Sequence, residues 1–451
     1  MTTAATRPER GQELDLRIDA LAFGGAGVAR HDGGYVVFVR DAVPGDRVRA
    51  VVTKRKRHYA EARAVEVLEP SPDRVEPRAD HPGAPWQVLP YERQLEVKAA
   101  QVDDALRRIG RLDGYELEPI VPAVARWRYR NKLEFSFGTG PGGELVCGFH
   151  APGSWEQIVH VEDCLLQSER GNEARREVLD WARGQGLGAY DRRAQAGALR
   201  NLVIREGRRT GEIQVRLVVT EGAELDTDGL ERAVRADSLI VTKVAGVAET
   251  TAGGDSELVA GAAKIAEVLR GLTFRLSAQA FFQTNTEMAD ELYGVAEEYA
   301  ALQGWERVYD LFCGIGTIGL SLAPRAGEVW GLEIVEDAIA DAMDNARANE
   351  ITNARFFAGD VRLALRELVE QAGRPDVVVV DPPRAGLSQK VVRRLLEAAP
   401  KRIVYVSCNP TTLAPNAAQL VEAGYALRRV RPVDMFPQTP HIECVALLER
   451  G

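Results

Sequence analysis

Between residues 13 and 68 the apolar positions come in short alternating runs. Leu14, Leu16 and Ile18 are separated by polar residues, residues 35–39 form a compact apolar stretch, and 48–52 and 62–68 follow the turn Pro44-Gly45-Asp46 and a basic run. Period two places alternate side chains on one face of a strand. Several short strands with Gly-Gly turns in so short a segment predict a small closed barrel of the oligonucleotide-binding type. Glu69-Pro70-Ser71-Pro72 reads as a linker. The period then changes: residues 91–109 predict an amphipathic helix with Leu95, Val102, Leu106 and Ile109 on one stripe and Gly110 as its stop, a candidate for packing on the last domain.

Residues 120–270 read as mixed strand and helix, with strands near 132–137, 144–150, 200–206, 212–220 and 239–244. Further on, apolar runs at 308–312, 329–333, 355–357, 377–380 and 403–407 alternate with helical stretches. That alternation predicts a doubly wound parallel sheet with ligands at the carboxyl ends of its strands. The expected architecture is multidomain α/β: an oligonucleotide-binding-like barrel over 1–70, a central α+β domain over 71–270 and a Rossmann-like domain over 271–451.

A length of 451 residues also implies more than one core. No apolar run approaches the roughly 18 residues of a membrane span. The polar start, MTTAATRPERGQ, reads as a frayed leader rather than a signal peptide. Five cysteines without a Cys-x-x-Cys pair argue against a disulfide framework and lead us to expect the cytoplasm. The net charge of −9 suits a nucleic-acid binder only if cations are gathered on one face. They are unevenly spread: residues 40–63 hold eight Lys/Arg against three acids, and Arg126-Trp127-Arg128-Tyr129-Arg130-Asn131-Lys132 alternates cations with aromatics and contains no acid.

The candidate chemistry gathers at predicted strand ends. The strand near 307–311 runs into Phe312-Cys313-Gly314-Ile315-Gly316-Thr317, a turn whose glycines let backbone approach a ligand, with Gly314 and Thr317 at the start of the next helix. Glu333 ends the second strand, where an acid can accept from ribose hydroxyls. Asp360 follows the third strand and Asp381 the fourth. Each alone could be a helix cap; acids at successive strand ends point to a cofactor crevice. The P-loop lysine is missing, which disfavours a phosphate cradle. Asp381-Pro-Pro-Arg384 and Ser407-Cys408-Asn409-Pro410 stand past the fourth and fifth strands. Cys408 alone could be core filling; on the cofactor's face it is a candidate nucleophile. Glu443, in His441-Ile442-Glu443-Cys444-Val445, is an acid in an apolar strand, which calls for either a general base or an inter-strand ion pair.

These motifs, with Phe281-Phe282-Gln283-Thr284-Asn285, resemble the RNA uracil-5-methyltransferase family over nearly the whole chain, in particular the branch with an N-terminal TRAM domain that acts on 23S ribosomal RNA. The resemblance implies that Gln283, Phe312, Glu333 and Asp381 line an S-adenosyl-L-methionine site. It implies that Cys408 is the nucleophile and Glu443 the base, and that residues 13–68 are an RNA-binding barrel. Tyr129-Arg130-Asn131-Lys132 also looks like a segment of the family's RNA-contacting domain, so Arg130 and Lys132 join Phe281 and Arg384 as candidates for binding RNA. The chemistry is consistent, because carbon 5 of uracil becomes nucleophilic only once a thiolate has added to carbon 6, and a base must then remove the carbon 5 proton.

In one respect the chain departs from the pattern. Relatives often hold a four-iron cluster on three closely spaced cysteines and a later fourth, but Asp80-His81-Pro82-Gly83-Ala84-Pro85-Trp86 contains no cysteine. Cys164 resembles the fourth ligand and stands alone, so no iron–sulfur cluster and no other metal is expected. Cys147, Cys313 and Cys444 read as structural. RNA is the expected partner, with no membrane, and the chain is expected to be a monomer. A transfer RNA uridine stays open as the target. Two other classes are weighed: an amino-group methyltransferase would place an aromatic where Arg384 follows the prolines, and a non-catalytic RNA-binding factor would not need Cys408 and Glu443.

Overall fold

The structure is a computed structural model and describes residues 7–451; the first six residues of the polar leader lie outside the described residues. Strands Glu13–Arg17, Ala20–Leu21, Gly27–His31, Tyr35–Arg40, Arg47–Arg55 and Tyr59–Glu69 form one six-stranded sheet. Its alternation buries Leu14, Leu16, Val37, Val39, Val48 and Ala50 in a single core. The two edge strands, Glu13–Arg17 and Ala20–Leu21, are consecutive in the chain, and the Asp19 amide between them donates to the Val28 carbonyl at 2.8 Å. Among the described residues no ladder is formed directly between those two edges; the bent segment 13–21 bonds to Asp46 on one side and Val28 on the other. The linker is not a free tether. Buried Asp46 accepts from the Ser71 amide at 2.9 Å and pairs with Arg74 at 2.8 Å, fastening it to the barrel.

The central domain is a seven-stranded sheet in the spatial order Ile158–His160, Leu145–His150, Lys132–Thr139, Leu199–Glu206, Ile213–Thr220, Ser238–Val244, Asp255–Gly261. Helices Glu169–Gly184 and Thr227–Ala233 cover its apolar face, where Phe135, Leu202, Val215 and Leu217 are buried. The opposite face carries Lys132, Glu134, Ser136, Asn201, Arg205 and Arg216, and a strap over 245–254 lies across it, the Thr251 carbonyl accepting from Arg216.

The remaining elements form a third unit. Helix α1 (Tyr91–Asp104) continues as a widened turn to Ile109; strand β1 (Glu116–Leu117) and a hairpin, Lys264–Leu269 with Leu272–Ser277, precede helix α2 (Thr286–Ala300). Then come β2 (Arg307–Leu311), α3 (Thr317–Leu322), β3 (Glu328–Glu333), α4 (Glu336–Ala348), β4 (Ala354–Ala358), α5 (Val361–Ala372), β5 (Val377–Val380), α6 (Gln389–Ala398), β6 (Arg402–Ser407), α7 (Pro410–Glu422), β7 (Tyr425–Val433) and β8 (Glu443–Arg450). The sheet order is β4-β3-β2-β5-β6-β8-β7-β1. The hairpin, α2, α3 and α4 pack one face, and α1, α5, α6 and α7 the other. Two consequences follow. The strand order reverses between β2 and β5, which opens the ligand crevice at their carboxyl ends. Antiparallel β8 then brings its amino end to that same edge.

Helix α1, expected as a candidate for packing on the last domain, lies with β1 in that sheet's layers, and the hairpin that spans the expected boundary at 270 places Ile265, Phe274 and Leu276 in that sheet's core. The stripe predicted for 91–109 holds only at Val102 and Leu106, since Ile109 is exposed. The buried face of α1 is instead partly polar, with Gln94, Lys98 and Gln101 turned inward. Hydrophobic periodicity cannot signal a face that is buried in order to make hydrogen bonds. Among the described residues, no helix is long and apolar enough to cross a membrane.

Candidate active site

Strand register sets the centre of the site. Ser407, the last residue of β6, pairs with Cys444 of β8. One step beyond this last pair stand Cys408 and Glu443, near enough that the Glu443 carboxyl acts on the Cys408 thiol. Glu443 is buried and Cys408 half-buried. Burial, then the nearby Asp381, push the Glu443 carboxyl well above the usual carboxylate range, while Arg384 pulls it down. Burial, with Glu443 and Asp381 nearby, likewise raises the Cys408 thiol to about 11, again opposed by Arg384. Asp381, past β5, is raised to about 7 by burial and by Asp310. Three acidic groups and one exposed guanidinium thus converge with few hydrogen bonds among them.

Asn409 and Asn416 fix the loops around this centre. Asn409 caps α7 through the Thr411 amide at 3.0 Å and donates to the Arg384 carbonyl at 3.0 Å, so one side chain holds the cysteine turn against the Asp-Pro-Pro-Arg turn. Asn416 exchanges hydrogen bonds with both backbone groups of Leu387, at 2.8 and 3.0 Å. The approach to Glu443, residues 434–442, is clamped by α1. Lys98 pairs with Asp434 at 2.5 Å, both without solvent exposure, and donates to the Phe436 carbonyl at 3.0 Å. Tyr91 donates to Asp434 at 2.8 Å, and Gln94 exchanges two hydrogen bonds with Gln438 at 2.9 Å. From the central domain, the Tyr129 hydroxyl reaches the Pro437 carbonyl at 3.0 Å.

The cofactor crevice adjoins this centre at the ends of β2, β3 and β5. Phe312 takes a left-handed backbone, φ 65°, that turns the chain out of β2. At Gly314 an added Cβ would meet nothing within 4 Å, whereas at Gly316 it would lie 2.9 Å from the Phe356 ring. The first is open toward a ligand, and the second is a packing requirement. Thr317 bonds the Tyr293 hydroxyl at 3.1 Å. Glu333 accepts from the amides of Ile334 and Val335 at 2.7 and 3.0 Å and from that of Gly314 at 3.3 Å, which ties β3 to the turn. Asp360 caps α5 and pairs with Arg362. Buried Gln283 lies just before α2; Asn131 donates to its carbonyl at 2.8 Å and to Thr286 at 2.9 Å. Phe281 is 67% exposed beside it, a large aromatic held out to solvent at the site's mouth.

Comparison with known proteins gives this arrangement a family. A model described as tRNA (Uracil-5-)-methyltransferase matches residues 219–451, and a TRAM domain model matches 7–65. An uncharacterized RNA methyltransferase of Halalkalibacterium halodurans is 40% identical over 448 residues, covering 97% of this chain and 96% of the relative. One of Bacteroides thetaiotaomicron is 41% identical over 440 residues, covering 92% and 96%. The crystal structure of Pyrococcus abyssi tRNA (uracil-54, C5)-methyltransferase in complex with S-adenosyl-L-homocysteine matches at a TM-score of 0.80 and 29% identity, covering 96% of this chain and 98% of that one. The chain belongs to the uracil-5-methyltransferase family.

Within this RNA methyltransferase most of the cluster 126–132 is tied to partners in the protein. Tyr129 is fully buried, Arg126 pairs with Glu92 and lies over Tyr91, and Arg128 pairs with Asp163 at 2.7 Å. Lys132 pairs with Glu134 at 2.7 Å on the central sheet, and its ammonium is pulled below its ordinary value by burial. Arg130 alone turns toward the site, its guanidinium 5.5 Å from the Phe436 ring. Alternation of cations and aromatics describes a strand edge stitched to neighbouring acids as well as it describes an RNA surface. Asn131, Asn409 and Asp434 escaped sequence reading as positioning residues, although the first two stand inside recognised motifs. Cys147, Cys313 and Cys444 are buried.

Proposed function

We propose that this enzyme methylates carbon 5 of a uridine in 23S ribosomal RNA by way of a covalent bond between Cys408 and carbon 6. The observation that supports the reading is that the Ser407–Cys444 pair ends the β6–β8 ladder and leaves Cys408 and Glu443 at the edge where the cofactor crevice opens. Bound S-adenosyl-L-methionine would supply an electrophilic methyl group, and Gln283, Phe312, Gly314, Thr317, Glu333, Asp360 and Asp381 are the residues that would hold it. The open space at Gly314 and an Asp381 carboxyl without a hydrogen-bond partner among the described residues fit such a ligand. Addition of Cys408 makes carbon 5 electron-rich. After methylation Glu443 takes the carbon 5 proton, and elimination frees the cysteine. A carboxylate that holds its proton tightly is a strong base once ionised, and Arg384 favours the ionised form of both partners. Phe281, Arg384 and Arg130 would face the RNA.

RNA carrying 5-fluorouridine should form a denaturation-resistant adduct with the enzyme in the presence of S-adenosyl-L-methionine, because fluorine cannot leave as a proton does. Cys408→Ala should not form it, and an adduct that persists in this variant would refute the assignment. A transfer RNA uridine is the second reading, favoured by the Pyrococcus neighbour. Mapping 5-methyluridine in total RNA from cells lacking the protein separates the two.

The reading includes activity without an iron–sulfur cluster, because the residues do not fit one. Cys164 has a raised thiol pKa from burial and meets His81 Nε2 at 3.2 Å, where a cluster needs further thiolates. Trp86 packs with Leu21, Val43 and Leu89 in a small core that can staple this segment in a metal's place. Purified enzyme should stay active after air and chelator; about four irons per chain would overturn this.

A further inference from the structure

A cavity stands apart from the reaction centre. It lies in the central domain, measures about 250 Å³ and is walled by Trp155, Tyr190, Arg192, Arg193 and Arg200, with Val247, Ala248 and Glu249 of the strap. Trp155 is 53% exposed at its rim. The guanidinium groups of Arg192 and Arg193 stand 5.5 and 5.7 Å from its ring centroid, and Arg200 lies 4.2 Å from that of Tyr190. Both cations lie over the indole and also pair with Glu249 and Glu156, while half of the Trp155 side chain stays open to solvent. Aromatic faces bordered by planar guanidinium groups are the means by which proteins take up unpaired nucleotides, the base stacking and the backbone phosphate meeting the cations.

The strap ties this cavity to the reaction centre. It runs from the cavity wall across the polar sheet face and ends at Gly253, whose amide donates to Gln279 at 2.8 Å, two residues before exposed Phe281. From Glu249 to Gly253 is four residues, which span at most about 14 Å. One RNA segment can therefore reach both places.

We propose that this cavity binds an unpaired nucleotide of the substrate RNA other than the one methylated, its base stacked on Trp155 and its phosphate met by Arg192 and Arg193. The inference rests on the reading that Cys408 methylates RNA. The test uses total RNA from cells lacking the protein, and then the fragment of it that the full-length wild-type enzyme methylates. Trp155→Ala should weaken affinity for that fragment about tenfold, a change of about 1.4 kcal/mol, and raise KM for RNA. Trp155→Phe should recover most of the loss, and affinity for S-adenosyl-L-homocysteine should not move. The same fragment carrying 4-thiouridine should crosslink to the peptide containing Trp155. Wild-type affinity in Trp155→Ala, with no crosslink in residues 151–160 or 187–193, would overturn the pocket while leaving methylation intact. Failure of the wild type to methylate any of the RNA would instead overturn the reading beneath it.

Discussion

Asp434 and Glu443 are buried acids on one segment, and they are treated in opposite ways. Asp434 has a buried ammonium at 2.5 Å and a tyrosine hydroxyl at 2.8 Å. Glu443 has Arg384 drawing its carboxyl down and Asp381 pushing it up, with no hydrogen bond among the described residues to relieve its burial. Leaving a carboxylate unpaired in a low-dielectric place costs several kcal/mol or its charge. The difference teaches how this fold divides its work. The α1 face satisfies every charge it buries and so fixes the loop over 434–442. The sheet edge leaves its acids unsatisfied, where a substrate can use them.

The widest gap should appear on removing charge from each. Glu443→Gln should cut 5-methyluridine formation by about a thousandfold and accumulate a methylated protein–RNA complex, while the melting temperature holds or rises. Wild-type turnover in a folded variant would erase the contrast. Asp434→Asn should lose about 3–5 kcal/mol in a denaturant titration, since Lys98 then sits buried without its counter-charge. Restoring stability with the double change of Lys98→Met and Asp434→Leu would show that the pair, and not either residue, is what the clamp needs. An Asp434→Asn variant as stable as the wild type would make the clamp incidental.

A third buried acid sharpens the comparison by pH. Asp310, at the end of β2, is fully buried and raised to about 7 by burial, with only the Gly319 amide at 2.8 Å lowering it. Its folded pKa exceeds the unfolded value of 3.8, so the native state keeps a proton that the unfolded state gives up. Its contribution is therefore fully present below about pH 4 and lost as pH rises toward 7. Asp310→Asn should flatten the stability profile in that window by up to one proton; an unchanged slope would place the proton elsewhere. The smallest effect concerns Cys408. With its thiol at about 11, iodoacetamide alkylation of the free enzyme should rise about tenfold per pH unit between pH 8 and 10. Glu443→Gln should speed alkylation a few-fold at pH 8, and an unchanged rate would mean that Glu443 does not act on the thiol.

Much of this was legible in the sequence because it is local. Period two and its glycine turns marked the N-terminal strands, five apolar runs marked the parallel sheet, and the motifs at their ends marked Cys408, Asp381, Glu333 and the glycine turn. Strand identity and strand-end chemistry need only neighbours in the chain. What the sequence could not carry was pairing. Whether a cation meets RNA or an acid depends on residues far away, so Arg128 and Lys132 looked free until Asp163 and Glu134 stood beside them. The polar face of α1 looked like surface until the loop over 434–442 closed on it. The nearness of Cys408 and Glu443 likewise belongs to the tertiary structure: only the antiparallel insertion of β8 beside β6 brings residues far apart in the chain to one edge.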